Sequence, residues 1–356
     1  MSPTSSGTAG VAEPVAPIVQ RGRVNGWAVW RAGAIRGAQA AERPLKYPGG
    51  SSDKTSDVDR HMLPIIGIVV VLGAIAAGYT MEHGSFRVLM QPAELVIIFG
   101  AAMGTLVIAN PLPVLKKIGK GLAGVFSASK FTKAYYLESL KMLYELFALS
   151  RKAGTAKLEE EVDNPAKGTV LAKYKKFSSD HHALQFLCDT LRIVVSGGVD
   201  PMEIDTMMEM DLEVHHSESA KPIAALNTMA DALPGLGIVA AVLGVVLTMG
   251  ALGGPKEAIG EKVAAALVGT FLGILLCYGI FGPLAIAMGK ISEAEAEFLV
   301  FLRMASLGFI KDLSPIMAVE LARRSIPNEL RPTFQEMEST CRGGGAAASA
   351  AATKAA

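Results

Sequence analysis

Charge and aromatic side chains are both scarce in this chain of 356 residues: 19% of positions are charged and 6% are aromatic. Soluble domains carry about 25% charged residues. The shortfall comes with 51% hydrophobic residues and a positive mean hydropathy of +0.37, which argues against a disordered chain. Cysteine is rare. Cys188, Cys277 and Cys341 are odd in number and widely spaced, so they suggest neither a disulfide framework nor a zinc site. Neither sign of charge dominates, because 34 Lys and Arg face 33 Asp and Glu, for a net +1. No positive field on the scale of a nucleic-acid partner follows from that. Enzyme signatures are missing as well: there is no Walker-type loop, no His-x-x-x-His pair and no nucleophile–base pairing. The chain therefore reads as a non-enzyme, with no catalytic residue, metal ligand or cofactor. The doublets His181-His182 and His215-His216 read as solvated pairs, since adjacent residues on a helix do not share a face.

What is present is concentrated. No charge occurs over 23 residues from Ala232 to Gly254, or over 27 from Val263 to Gly289. A bilayer core needs about 20 apolar residues as a helix, so both runs predict spans. Two shorter uncharged runs lie upstream, 17 residues at Leu63–Tyr79 and 18 at Leu95–Leu112, each with a proline at its start (Pro64, Pro92). The fold class is all-α: a polytopic membrane protein with four transmembrane helices and a helical cytoplasmic domain.

Residues 62–112 hold spans one and two, 113–228 a cytoplasmic helical domain, 229–289 spans three and four, and 290–342 cytoplasmic C-terminal helices. Lys116, Lys117 and Lys120 follow span two and Lys290 follows span four, while the short connections carry little net charge. The positive-inside rule places the large connection, and with four spans both termini, in the cytoplasm. Residues 1–61 read as a disordered extension or a mis-assigned start, with Met62 a plausible true start, and 343–356 as a disordered tail.

Within the cytoplasmic part, Lys130–Lys152 has Tyr136, Leu140, Leu143, Tyr144 and Phe147 at helical spacing and predicts an amphipathic helix. Further helices are expected at Lys157–Asp163, His182–Val195 and Pro201–His216, and Ile291–Ile310 should continue span four as one rod.

Spans three and four contain no Asp, Glu, Lys, Arg or His. Intramembrane ion relays normally use such residues, so an ionisable group would have to come from another chain. The spans are instead rich in small residues: Gly235, Gly237, Ala240, Ala241 and Gly244 in span three, Ala266, Gly269, Thr270 and Gly273 in span four. Small residues allow close helix approach. Thr270 can bond its own backbone or line a pore, and the residues alone leave both open. Pro234 and Pro283 each remove a backbone hydrogen bond and predict two kinks at similar depth, which could form a hinge.

Several motifs in order carry a family resemblance: Met62-Leu-Pro-Ile-Ile-Gly, Gln91-Pro-Ala-Glu-Leu-Val-Ile-Ile, Ser129-Lys-Phe-Thr-Lys-Ala, Leu233-Pro-Gly-Leu-Gly-Ile-Val-Ala-Ala-Val-Leu-Gly-Val-Val and Val268-Gly-Thr-Phe-Leu-Gly-Ile-Leu-Leu-Cys-Tyr-Gly. From Met62 to about Glu338 the chain resembles the MotA family of flagellar motor stator proteins, within the wider MotA/TolQ/ExbB proton channel family. The resemblance implies an inner-membrane subunit, several copies of which (a pentamer) surround the partner MotB. That partner supplies a transmembrane Asp, protons drive the machine, and the rotor protein FliG receives the torque. By the same resemblance Pro234 and Pro283 are the channel hinge, Arg151 and Glu159 the rotor contacts, with the register of the acid open to Glu160 or Glu161. Sodium-driven relatives carry Thr where this chain has Ala241; with only Thr270 retained, the resemblance favours protons. The alternative is an ExbB/TolQ-type energiser of outer-membrane transport, which would have three spans and an outside N-terminus.

Overall fold

The computed structural model describes residues 58–250 and 256–343. The readings of the first 57 residues and of the tail beyond 343 lie outside them. Among the described residues all regular structure is helical. Four stretches are long and apolar enough to cross a membrane: Met62–Met81, Phe86–Ala109, and the apolar parts of Pro201–Met249 and Lys262–Ile310.

Helix α1 (Val58–Met81) starts four residues ahead of the expected boundary at Met62, because helical backbone bonding continues through polar Asp59-Arg60-His61 beyond the apolar run. A short turn, α2 (Phe86–Leu89), leads to α3 (Pro92–Ala109), where Pro92 sits in the first turn, which needs no N–H from it. Asn110, forced extended by the following Pro111, ends α3. Next comes α4 (Leu112–Val125), a helix the sequence reading did not anticipate. It is amphipathic: Ile118 and Val125 are buried while Lys116, Lys117 and Lys120 point outward.

Between spans two and three, α5 (Lys133–Ala153) is capped by the Thr132 hydroxyl, which accepts from the Tyr135 N–H at 3.2 Å, and is stopped by Gly154 at φ +85°. After it come α6 (Thr155–Asp163), a short α7 (Lys175–Ser178) and α8 (His181–Ser196). Helix α9 (Pro201–Met249) is one uninterrupted rod of 49 residues. The expected helix Pro201–His216 and span three are parts of it, since residues 217–231 hold no glycine and packing carries the rod through Pro222. Span four runs through the apolar part of α10 (Lys256–Leu275), from Val263 on, and a π-helical turn at Leu276–Phe281. It continues without a break into α11 (Gly282–Ile310), as expected. The chain closes with α12 (Pro315–Ser325) and α13 (Phe334–Arg342).

Two apolar cores result. The one outside the spans centres on Phe298 of α11, whose ring lies 5.1–6.3 Å from those of Phe131, Tyr135, Tyr136, Phe177 and Phe301. The membrane one packs Ile98, Ala102 and Leu106 of α3 against Leu226, Met229, Leu233 and Ala240 of α9 and Ala285 and Met288 of α11. Because α9 and α11 run through both cores, the two share rigid members.

Candidate functional site

Spans three and four meet along a seam of small residues. A Cβ built on Gly273 would stand 2.6 Å from the Leu233 carbonyl oxygen and 3.0 Å from Gly237 Cα, and one on Gly244 would stand 2.8 Å from Ala266 Cβ. These contacts fix an antiparallel register: Gly237 opposite Gly273, Gly244 opposite Ala266, and far along the stems His215 near Glu295. The small residues are therefore a steric requirement of the helix pair.

A carboxylate closes the seam. Glu94 of α3 is 7% exposed, and its Oε2 would lie 2.7 Å from a Cβ on Gly269, whose other neighbour is Ala240. That oxygen is buried without a hydrogen-bond partner among the described residues. Ala240 lies nine residues before Met249, about 13 Å along the helix from its C-terminal end. Ala241 and Thr270, each next in sequence to the Ala240–Gly269 contact, share that layer and are half-buried. The sequence reading placed no acid in spans three and four, which holds. It passed over Glu94 because the uncharged run of span two begins one residue later. The signal was present in Gln91-Pro92-Ala93-Glu94, where proline at the first helical position puts Glu94 inside the helix.

The two prolines behave differently. Pro234 is half-buried inside the unbroken α9. Pro283 sits just past the π turn, where the Gly282 N–H bonds the Cys277 carbonyl five residues back. Pro283 has no N–H for the Gly279 carbonyl, and widening the preceding turn accommodates its ring. By the glycine register Pro234 lies level with about Leu276, so it faces the π turn, and α9 packs against that turn. The two prolines thus converge on one turn of span four, although Pro283 itself lies about two turns further along the helix.

Among the residues expected at the rotor, Arg151 ends α5. Its Nη2 donates to the Asp312 carboxylate and carbonyl, both at 2.7 Å, and to the Leu313 carbonyl at 3.2 Å. Asp312 is in the left-handed region at φ +56°, in the turn between α11 and α12. Glu159 on α6 is exposed. Its neighbours are committed elsewhere: Glu160 pairs with Lys157 at 2.6 Å, and Glu161 is buried. The Glu161 carboxylate accepts from the Thr169 hydroxyl and from the N–H groups of Thr169, Val170 and Leu171. Burial pushes its pKa up, but those donors outweigh it and hold the carboxyl below its ordinary value.

A second cluster was not foreseen. The doublets stay apart within themselves, but His182 of α8 and His215 of α9 approach with rings 5.2 Å apart, beside Glu295 of α11.

Comparison with known proteins places these features. Residues 65–154 match the family model for the N-terminal part of Motility protein A, and residues 178–297 match that of the MotA/TolQ/ExbB proton channel family. The chain is 39% identical over 277 residues to Motility protein A of Escherichia coli strain K12, covering 78% of this chain and 94% of the relative. The fold is similar to that of C. jejuni MotAB (TM-score 0.62, 19% identity, 75% of this chain and 96% of that one). It is similar also to the flagellar MotAB stator complex of Bacillus subtilis (TM-score 0.59, 22% identity, 80% and 99%).

Proposed function

The chain belongs to the Motility protein A family of MotA/TolQ/ExbB proton channel proteins, and from that premise we propose that it is a stator subunit of the bacterial flagellar motor, and how it works and with whom. The observation that carries the reading is the Glu94 layer. The acid of this chain is sealed inside its own helix contacts at 7% exposure, whereas Ala241 and Thr270 beside it are partly open. A proton crossing at this layer needs a carboxylate that titrates on the open side, and the MotB partner supplies it as a transmembrane Asp. Exposed Ile238, Val242 and Val246 on span three offer the apolar surface against which such a partner and neighbouring copies pack. Five copies around the partner, in the bacterial inner membrane with both termini in the cytoplasm, complete the assembly.

Protonation of the partner's carboxylate removes a charge beside spans three and four and changes their packing. The π turn facing Pro234 is where the rod can flex, and α11 carries the displacement to the Phe298 core and the turn held by Arg151. Arg151 and Glu159 then engage FliG. Protons are the only driving species required, and the chain needs no cofactor of its own.

The test is proton influx into cells expressing the chain alone, the partner alone, or both, scored with swimming. Influx and motility are expected only with both, and both should vanish when the partner's transmembrane Asp is changed to Asn. Influx through the chain alone would refute the division of labour. A topology reporter fused at Met62 is expected to report the cytoplasm; a periplasmic signal would favour the energiser reading.

A further inference from the structure

His182, His215 and Glu295 come from three helices, α8, α9 and α11, and their ligand atoms all lie within 4.8 Å of one another. The Nε2 of His215 is 3.9 Å from Glu295 Oε1, and the two imidazoles meet edge to face at 73°. A separation of 3.9 Å is too long for a hydrogen bond. None of the three side chains forms a hydrogen bond among the described residues, although His215 and Glu295 are only 16% and 24% exposed. Two half-buried polar groups and an imidazole thus converge without satisfying one another.

We propose that His182, His215 and Glu295 form a binding site for a divalent transition-metal ion of the zinc class. Two imidazole nitrogens and one carboxylate oxygen are a donor set suited to zinc and its neighbours rather than to calcium or magnesium. Donor atoms around a tetrahedral zinc stand about 3.4 Å apart. The set is therefore open by up to about 1.4 Å, a gap that rotation of the exposed His182 and of the Glu295 side chain would have to close. Solvent reaches the His182 side and provides the fourth position. Asp211 lies one turn before His215 on the same helix. The nearby cation, Lys117, is engaged by Glu218 at 2.8 Å.

The position gives the site a consequence. Helices α9 and α11 are the cytoplasmic stems of spans three and four, and His215 and Glu295 lie 22 residues along them from the Gly237–Gly273 contact, about 33 Å away. A bound ion would clamp both stems and α8 together below the membrane.

The experiment uses the untagged full chain in detergent, titrated with zinc against a chromophoric chelator and with cobalt followed by visible absorbance. One equivalent per chain is expected, with a cobalt spectrum of nitrogen–oxygen ligation and a zinc-dependent rise in melting temperature. Affinity should fall at least about tenfold in His182→Gln and in Glu295→Gln, and stay unchanged in His181→Gln and His216→Gln, the exposed neighbours. Metal-free helicity and melting of each variant check folding; if Glu295→Gln fails that check, His182→Gln decides alone. Absence of a saturable equivalent, or equal loss in the His181 and His216 variants, overturns the site.

Discussion

Arg151 grips Asp312 twice, through the carboxylate and through the main-chain carbonyl, both at 2.7 Å. Asp312 comes two residues after the end of α11, the helix that continues span four for 29 residues, about 43 Å. The residue proposed for the rotor contact therefore also holds the far end of the transmembrane rod. Two roles for Arg151 can be told apart. Asp312→Asn leaves the carbonyl contacts and removes only the ion pair, which at 41% and 95% side-chain exposure contributes under about 1 kcal/mol. It should swim normally if Arg151 acts on the rotor. Arg151→Glu should abolish swimming with little change in melting temperature. Equal loss in both variants would assign Arg151 to the turn alone.

The glycine seam predicts a stability effect with an internal control. Gly273→Leu drives a side chain into the Leu233 carbonyl and the Gly237 backbone, neither of which is the flexible end of a side chain. Overpacking of this kind costs about 1–3 kcal/mol. The purified chain should melt earlier in detergent and motility should be lost. Gly235→Ala, two residues from Gly237 on the same helix, meets nothing within 4 Å and should leave the melting temperature unchanged. A silent Gly273→Leu would remove the steric account of the seam.

Most of this architecture was legible because apolar runs and caps are local signals. The four spans, the stop at Gly154 and the continuation of span four into Ile310 follow from neighbours in sequence, whereas the helix expected from Lys130 starts at Lys133 behind the Thr132 cap. The remainder depends on register between distant segments. Nothing local says that α9 would stay helical from Pro201 to Met249, or that Glu94 would meet Gly269. His182 and His215 were read within their doublets, whereas the fold pairs them across two helices. Kinks were expected at both prolines, but Pro234 leaves α9 unbroken and a π turn precedes Pro283.

Glu161 makes stability depend on acid pH. Its folded pKa lies below the ordinary value of 4.5, so the stabilisation is fully present above about 4.5 and is lost as pH falls through the lower folded value. Glu161→Gln keeps the shape and removes the charge that four donors converge on. A loss of about 2 kcal/mol is expected at neutral pH. Denaturant melts from pH 7 to pH 3 should show the wild type converging on the variant below 4.5; parallel curves would exclude the carboxylate as the titrating group.

Pro283→Ala restores an N–H that can reach the Gly279 carbonyl, so the π turn can tighten to α-helix. Removing its one extra residue would rotate α11 by about 100° relative to α10, since each residue advances a helix by that angle. Arg303 would then turn away from Asp205, which it now meets at 2.7 Å. Protein should still be made and inserted, but torque should fall. Cross-linking of an Asp205→Cys, Arg303→Cys pair should drop when Pro283→Ala is added. Undiminished cross-linking would show that packing, not proline, sets the π turn.

The Glu94–Gly269 contact predicts suppression between two substitutions. Gly269→Val brings branched carbon against the Glu94 carboxylate and the Ala240 methyl, in a layer where both are buried. Alone it should impair motility and lower the melting temperature. Adding Glu94→Ala vacates the space that the valine needs, so the double variant should recover stability by more than Glu94→Ala changes it in the parent, a coupling of about 1 kcal/mol or more for residues in direct contact. Recovery of motility separates two uses of the acid. If Glu94 only fills the seam, swimming returns with stability. If its carboxyl serves the proton path, stability returns without swimming, and Glu94→Gln alone should already slow the motor at unchanged melting temperature. Additive effects on stability would mean that Glu94 and Gly269 do not meet in the assembled motor.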